Sequence, residues 1–150
     1  MAKIAIVYVS VHHKNTEKLL KGIASSCDVD LFDLMLDKDL DLSDHDVIGY
    51  ASGIFALKMH GSIYKFLDEN KTLPKKAIAI CTSGMGKGTM IRRFSKFLQE
   101  KGFEVLGEFE CKGFDTFGPF KLIGGINRKH PDEKDIAEGI AFLKGIEQKL

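Results

Sequence analysis

The sequence predicts an α/β fold in which a parallel sheet carries helices on both faces. Three observations predict it. Short apolar or alternating runs of strand length recur five times, and helix-period stretches separate most of them. Two of those runs, KIAIVYV and KAIAICT, are apolar at nearly every position, the pattern of strands buried on both faces. The chain of 150 residues is long enough for one such domain with a core of its own.

The elements follow in order. Lys3–Val9 is a β-branched apolar strand, and Asn15 to Ser25 places Leu19, Leu20, Ile23 and Ala24 at helical spacing. Val29–Leu34 is a second strand. An aspartate-rich connection leads to a third, Asp46–Ala51, and Lys58–Asn70 is helical with Ile63, Phe66 and Leu67 as its stripe. Lys58, Met59 and His60 are expected in the first turn of that helix. Lys76–Thr82 is a fourth strand, and Thr89–Lys101 a helix with Ile91, Phe94, Phe97 and Leu98 inward, closed by Gly102. Phe103–Cys111 alternates apolar residues with glutamates, as an edge or half-exposed strand does. A Gly- and Phe-rich loop, Gly113–His130, precedes the last helix. Pro131 fits its first position, Asp132 and Glu133 suit its first turn, and it runs to about Gln148.

Charge and composition remove several function classes. The net charge is +1, with nothing like the basic footprint of a nucleic-acid binder. No apolar run approaches the roughly 20 residues of a membrane helix, and the MAKIAIVYVS start does not read as a signal peptide. Cys27, Cys81 and Cys111 are far apart and form no CxxC or zinc spacing, which suits buried thiols in a reducing cytoplasm. Charge is uneven. Residues 1–74 hold 8 Lys/Arg and 11 Asp/Glu, a balance of −3, whereas residues 75–150 hold 14 and 10, a balance of +4. Eight of the aspartates fall between Asp28 and Asp46.

In open parallel sheets ligands bind at the carboxyl ends of the strands, near the point where strand order reverses. The segments there are SVHHKNT, SGIFALK and TSGMGKGT, all rich in Gly, Ser or Thr. TSGMGKGT fails the P-loop pattern twice, at Cys81 and at Gly88. It also lacks the third glycine of GxGxxG, where Thr89 stands, and follows the fourth strand rather than the first. ATP and NAD are therefore poor fits. SVHHKNT stands where a helix begins, and free N–H groups with the helix dipole favour an anion there. Ser10, Asn15 and Thr16 add polar side chains and Lys14 adds charge; the alternative is that Asn15 or Thr16 merely caps the helix. His12 and His13 are adjacent and have no Cys or carboxylate partner at ligand spacing, so no metal site is expected. Phe55 and Met85 are candidates to flank a flat ligand ring, or else to be core residues.

These residues resemble the flavodoxin family, and more closely its short single-domain members, over nearly the whole chain. IVYVSVHHKNTEKLLKGIA is similar to the family's FMN-phosphate loop and first helix. GYASGIF and TSGMG are similar to the two loops that enclose the isoalloxazine, and CKGFDTFGPFKLIGG with HPDEKDI to a closing stretch of the short subgroup. The resemblance implies a flavodoxin-like three-layer sandwich, a five-stranded parallel sheet in order 2-1-3-4-5, and one noncovalent FMN. It implies Ser10, His12, His13, Lys14, Asn15 and Thr16 at the phosphate, with Ser52, Gly53, Ile54 and Phe55 on one side of the ring and Thr82, Ser83, Gly84, Met85 and Gly86 on the other. No catalytic acid, base or nucleophile stands out.

The implied function is electron transfer between a reductase and an acceptor protein, by a cytoplasmic monomer or weak homodimer with no nucleic-acid or membrane partner. The alternatives are a small FMN-dependent NAD(P)H/quinone oxidoreductase, with Gly113–His130 as a lid, and a flavodoxin-fold binding module without flavin. The chain departs from the family in having no Trp, in keeping Tyr8, Tyr50 and Tyr64 out of the ring loops, and in its near-neutral charge. Fewer carboxylates near the flavin, and Lys87 in the fourth-strand loop, imply a less negative potential than strongly acidic flavodoxins have.

Overall fold

The first strand sets the architecture. In β1 (Ile4–Val9) every residue is buried, and successive side chains point to opposite faces. Ile4, Ile6 and Tyr8 join one apolar cluster and Ala5, Val7 and Val9 another, so both faces of this strand must be covered. The computed structural model describes residues 2–37, 39–86, 88–116 and 118–150, without the side chains of Gly118 and Pro119; Lys87 lies outside the described residues.

The remaining elements are α1 (Asn15–Ala24), β2 (Val29–Asp33), β3 (Val47–Phe55), β4 (Lys58–Met59), α2 (Gly61–Glu69), β5 (Lys76–Ser83), α3 (Thr89–Glu100), β6 (Glu104–Lys112), a 3-10 turn at Gly118–Ile123, and α4 (Glu133–Gln148). The parallel strands lie in the order β2-β1-β3-β5-β6, the arrangement expected of the family once the two-residue β4 is set aside. β4 is the addition: it pairs antiparallel with the end of β3, Ile54 opposite Met59 and Phe55 opposite Lys58.

Leu19, Leu20 and Ile23 of α1 and Leu143 and Ile146 of α4 cover one face of the sheet. The two helices approach closely because Gly22 meets Ile136 and Gly139 meets Ile23; a Cβ on either would come within 2.7 Å of that isoleucine. Ile63 and Leu67 of α2, with Ile91, Phe94 and Leu98 of α3, cover the other face. All three cysteines are buried and free, and burial pushes each thiol up from its ordinary pKa.

Three sequence expectations need correction here. The third strand does not stop at Ala51 but runs to Phe55, so Ser52, Gly53, Ile54 and Phe55 are strand rather than loop. The second helix does not start at Lys58. Ala56 and Leu57 both take positive φ, 49° and 68°, and turn the chain into the β3–β4 hairpin. Met59 is then buried, and His60 caps α2 by accepting from the Ser62 N–H at Nδ1, 3.1 Å. Pro131 is likewise not the first helical residue. Asp132 is the N-cap of α4, and Asp135 completes a capping box with it, which holds Asp132 below its usual carboxylate range.

Candidate functional site

Between β1 and β3 the chain reverses its direction of travel across the sheet, and a cleft of about 710 Å³ opens there at the carboxyl ends of the strands. That volume lies in the usual range for a small-molecule site. Three segments build it, and a fourth closes it.

The first is the turn from β1 into α1. His13 and Lys14 take left-handed φ values of 54° and 55°, and Lys14 is the N-cap with no side-chain capping bond. Neither Asn15 nor Thr16 caps the helix. Instead the Glu17 N–H donates to Ser10 Oγ at 3.0 Å. Among the described residues, no acceptor is found for the N–H groups of His12, His13, Lys14, Asn15 and Thr16. Five consecutive free donors at the head of a ten-residue helix make a concave, electropositive cradle.

Ser10 and Thr16 are buried polar side chains lining the same cleft. Ser10 Oγ accepts from the backbone and still has its own O–H to give. Thr16 Oγ1 lies 3.0 Å from Thr82 Oγ1; one hydroxyl donates to the other, and the second hydrogen remains for a ligand.

The two histidines diverge. The His12 ring packs 5.2 Å from the Phe55 ring, on the β3 side. The His13 ring packs 4.1 Å from Phe114, and its Nε2 lies 3.0 Å from Thr116 Oγ1, on the β6 side. They frame the turn from opposite flanks.

The second and third segments are the ends of β3 and β5. Gly53, Ile54, Phe55, Ala56 and Leu57 line one wall, and Thr82, Ser83, Gly84 and Met85 the other. The β5 wall is held by Glu110 of β6, whose carboxylate accepts from Ser83 Oγ at 2.7 Å and from the Ile91 N–H at 3.0 Å. Gly86 N–H donates to Ser83 Oγ at 2.8 Å. Glu110 thus satisfies a donor at the head of α3, where the N-cap Gly88 has no side chain to do so.

The strap after β6 closes the site. Asn15 Nδ2 donates to the Phe114 carbonyl at 2.9 Å, and Asn127 Nδ2 to the Gly84 carbonyl at 2.8 Å. Gly113, Phe114, Asp115, Thr116, Phe120 and Lys121 line the cleft as a result. Close approach explains Gly84: a Cβ there would run into the Asp115 carboxylate. Among the described residues, every non-glycine with positive φ belongs to these segments: His13, Lys14, Ala56, Leu57 and Asn127. Such strained backbone gathers at ligand sites.

Of the residues singled out from sequence, Lys14, Ser52 and Gly86 do not line the cleft. Lys14 is exposed, and its Nζ donates back to the Ser10 carbonyl at 3.2 Å. Ser52 is fully buried and joins hairpin to helix, accepting from the His60 N–H at 3.0 Å and donating to the Gly53 carbonyl at 2.6 Å. Gly86 turns the β5 loop with φ 60°. Val11, Ala56 and Leu57 line the cleft from within the segments expected there, though they were not singled out one by one, and the strap lines it where a lid was only an alternative. Met90 is the lining residue with no signal in the sequence.

The family model for the flavodoxin domain matches residues 5–114. This chain belongs to the flavodoxin family. An uncharacterized protein of Methanocaldococcus jannaschii is 44% identical over 147 residues, covering 96% of this chain and 97% of that one. Among solved structures, oxidised flavodoxin 2 from Bacillus cereus is similar at TM-score 0.67 and 21% identity, covering 99% of this chain and 100% of that one. A flavoprotein in complex with FMN from Lactobacillus acidophilus is similar at TM-score 0.61 and 15% identity, covering 74% of this chain and 94% of that one. At these identities the structures share the fold with this flavodoxin-family chain. No helix among its described residues is long and apolar enough to cross a membrane.

Proposed function

We propose that this protein binds one FMN and serves as an electron carrier between separate donor and acceptor proteins. The observation that carries the reading is the His12–Thr16 cradle of free N–H groups, opening into an apolar-walled cleft. The bound group would supply reversible one- and two-electron chemistry; the chain's part is binding, orientation and electrostatics.

The donor set fits a phosphate monoester of about −1.5 to −2 charge. The free N–H groups of residues 12–16 would hold its oxygens, helped by roughly half a positive charge at the head of α1. The Ser10 hydroxyl and one of the Thr16–Thr82 pair would donate as well, and the Lys14 ammonium stays close by. Farther along, Phe55, Leu57 and Met85 offer apolar faces to a flat ring, and the backbone of Gly53–Ile54 and Gly84–Met85 offers donors and acceptors to its polar edge. Gly53 leaves room there, because the nearest atom to a Cβ on it would be 3.7 Å away. The FMN held by the similar Lactobacillus acidophilus flavoprotein supports the choice of ligand. Three buried thiols suit a reducing cytoplasm, and this reading takes the carrier as a monomer or weak homodimer.

A second reading, a small NAD(P)H/quinone oxidoreductase, draws support from Phe120 and Lys121, which line the cleft from the strap where a second substrate could lie. One experiment separates the readings. Purified protein is loaded with FMN, desalted, and its visible spectrum followed on adding NADPH or NADH. Carrier function gives a retained flavin spectrum that NAD(P)H bleaches slowly and an added reductase bleaches fast. Rapid NAD(P)H turnover with a quinone and no helper protein selects the second reading. Failure to retain flavin leaves a binding module and overturns both.

A further inference from the structure

The cleft opens through a rim that concentrates exposed apolar surface. Val11, Leu57 and Met85 line it at 45%, 61% and 58% exposure, and Leu122 and Ile123, next to the lining residue Lys121, stand 89% and 73% exposed. Single exposed apolar residues are ordinary, but several around one opening, bordered by polar groups, mark an interaction surface.

The border is positive. Lys14 lies in the His12–Thr16 turn, Lys58 in the β3–β4 hairpin, Lys112 ends β6, and Lys121, Arg128 and Lys129 belong to the strap; all six are exposed. Among the described residues none of the six takes part in an ion pair. Asp115 is the one carboxylate among the described residues that line the cleft. On the opposite flank Asp37, Asp39 and Asp41 share a separate cleft with Lys65 and Glu69 of α2. Exposed cations thus outnumber carboxylates along the strap, although Asp132, Glu133 and Asp135 follow it at the head of α4, whereas Asp37, Asp39 and Asp41 mark the β2 flank.

We propose that this rim docks an acidic redox-partner protein, its carboxylates over Lys112–Lys129 and its apolar centre on Leu57, Met85, Leu122 and Ile123. The inference rests on the electron-carrier reading, which requires the partner to reach the mouth of the cleft. Unpaired cations attract an acidic surface from a distance and repel a basic one, and the acidic β2 flank fixes the partner's orientation. The apolar centre supplies the short-range part of the affinity.

Amide chemical shifts of isotope-labelled protein, with and without FMN, test this against two small redox proteins of opposite charge, an acidic rubredoxin and a basic cytochrome c. Rubredoxin should shift Val11, Leu57, Met85 and Lys121–Ile123, and its affinity should fall by about tenfold or more from low to high salt. K112E/R128E/K129E should lose rubredoxin binding by about tenfold or more and gain cytochrome c binding. L122S/I123S should weaken rubredoxin binding several-fold with the salt dependence unchanged, and D37N/D39N should not weaken it. Wild-type binding of cytochrome c at the rim, rubredoxin shifts elsewhere or absent, or rim shifts caused instead by anionic-lipid vesicles or by raising the protein concentration alone, would each overturn the proposal. Rim shifts in a protein that never takes up FMN would keep the docking surface and reject the carrier reading; FMN uptake without them would do the reverse.

Discussion

The hydroxyls of Thr16 and Thr82 meet at 3.0 Å in a buried contact that ties the head of α1 to the end of β5, across 66 residues of sequence. It makes the His12–Thr16 turn and one cleft wall a single piece. Replacing either threonine by valine keeps the shape and strands the other hydroxyl. Each single variant should lose about 1–2 kcal/mol in urea unfolding, since a buried hydroxyl left without a partner costs about that much. T16V/T82V should lose less than the sum, by about 1 kcal/mol. Additive losses would show that the two hydroxyls do not depend on each other.

Glu110 holds the β5 loop from the neighbouring strand through Ser83 and the Ile91 N–H. Glu110→Ala should cost about 1–3 kcal/mol, because two bonds to a charged acceptor are lost and a helix-head donor is freed. Hydrogen exchange at the Gly86 and Ile91 amides should accelerate more than at β1. Uniform acceleration throughout the sheet would point to global destabilisation instead.

Those two contacts show why some of the molecule is legible in sequence and some is not. β1 and β5 announce themselves, because a strand covered on both faces must be apolar at every position, and the alternating β6 is an edge strand of the sheet. The β3–β4 hairpin does not. Its turn sits on Ala56 and Leu57, which carry none of the Gly, Asn or Asp that normally signals positive φ. The cradle was legible as a place, since a polar junction after a buried strand is where a ligand binds, but its chemistry resides in backbone N–H groups that side-chain identity does not report. The strap was illegible as a wall because Asn15 reaches Phe114 across 99 residues and Asn127 reaches Gly84 across 43. Nothing local encodes such pairings.

Two tyrosines make stability sensitive to alkali. Tyr8 is pushed up to about 12, first by burial and then by the Glu17 carboxylate, to which its hydroxyl donates at 3.2 Å. Tyr50 is raised as well, by burial alone, and its hydroxyl has no partner among the described residues. A folded pKa above the unfolded value of about 10 means that the folded state keeps its proton longer. The contribution to stability is therefore complete below about pH 10 and is lost as pH rises through the folded value. Tyr50→Phe should leave stability at neutral pH unchanged or raise it by up to about 1 kcal/mol, since it removes an unsatisfied buried hydroxyl. It should also flatten the alkaline decline. A clear loss at neutral pH would mean that the hydroxyl has a partner.

The measurement that bears most directly on the central claim compares two ligands that differ only in the phosphate. Fluorescence titrations of the purified protein with FMN and with riboflavin share the ring cleft and separate the cradle. The His12–Thr16 donors predict that FMN binds tighter by about tenfold or more, equivalent to about 1.4 kcal/mol or more. Equal affinities for FMN and riboflavin, or binding of neither, would contradict the assignment of this turn as a phosphate site.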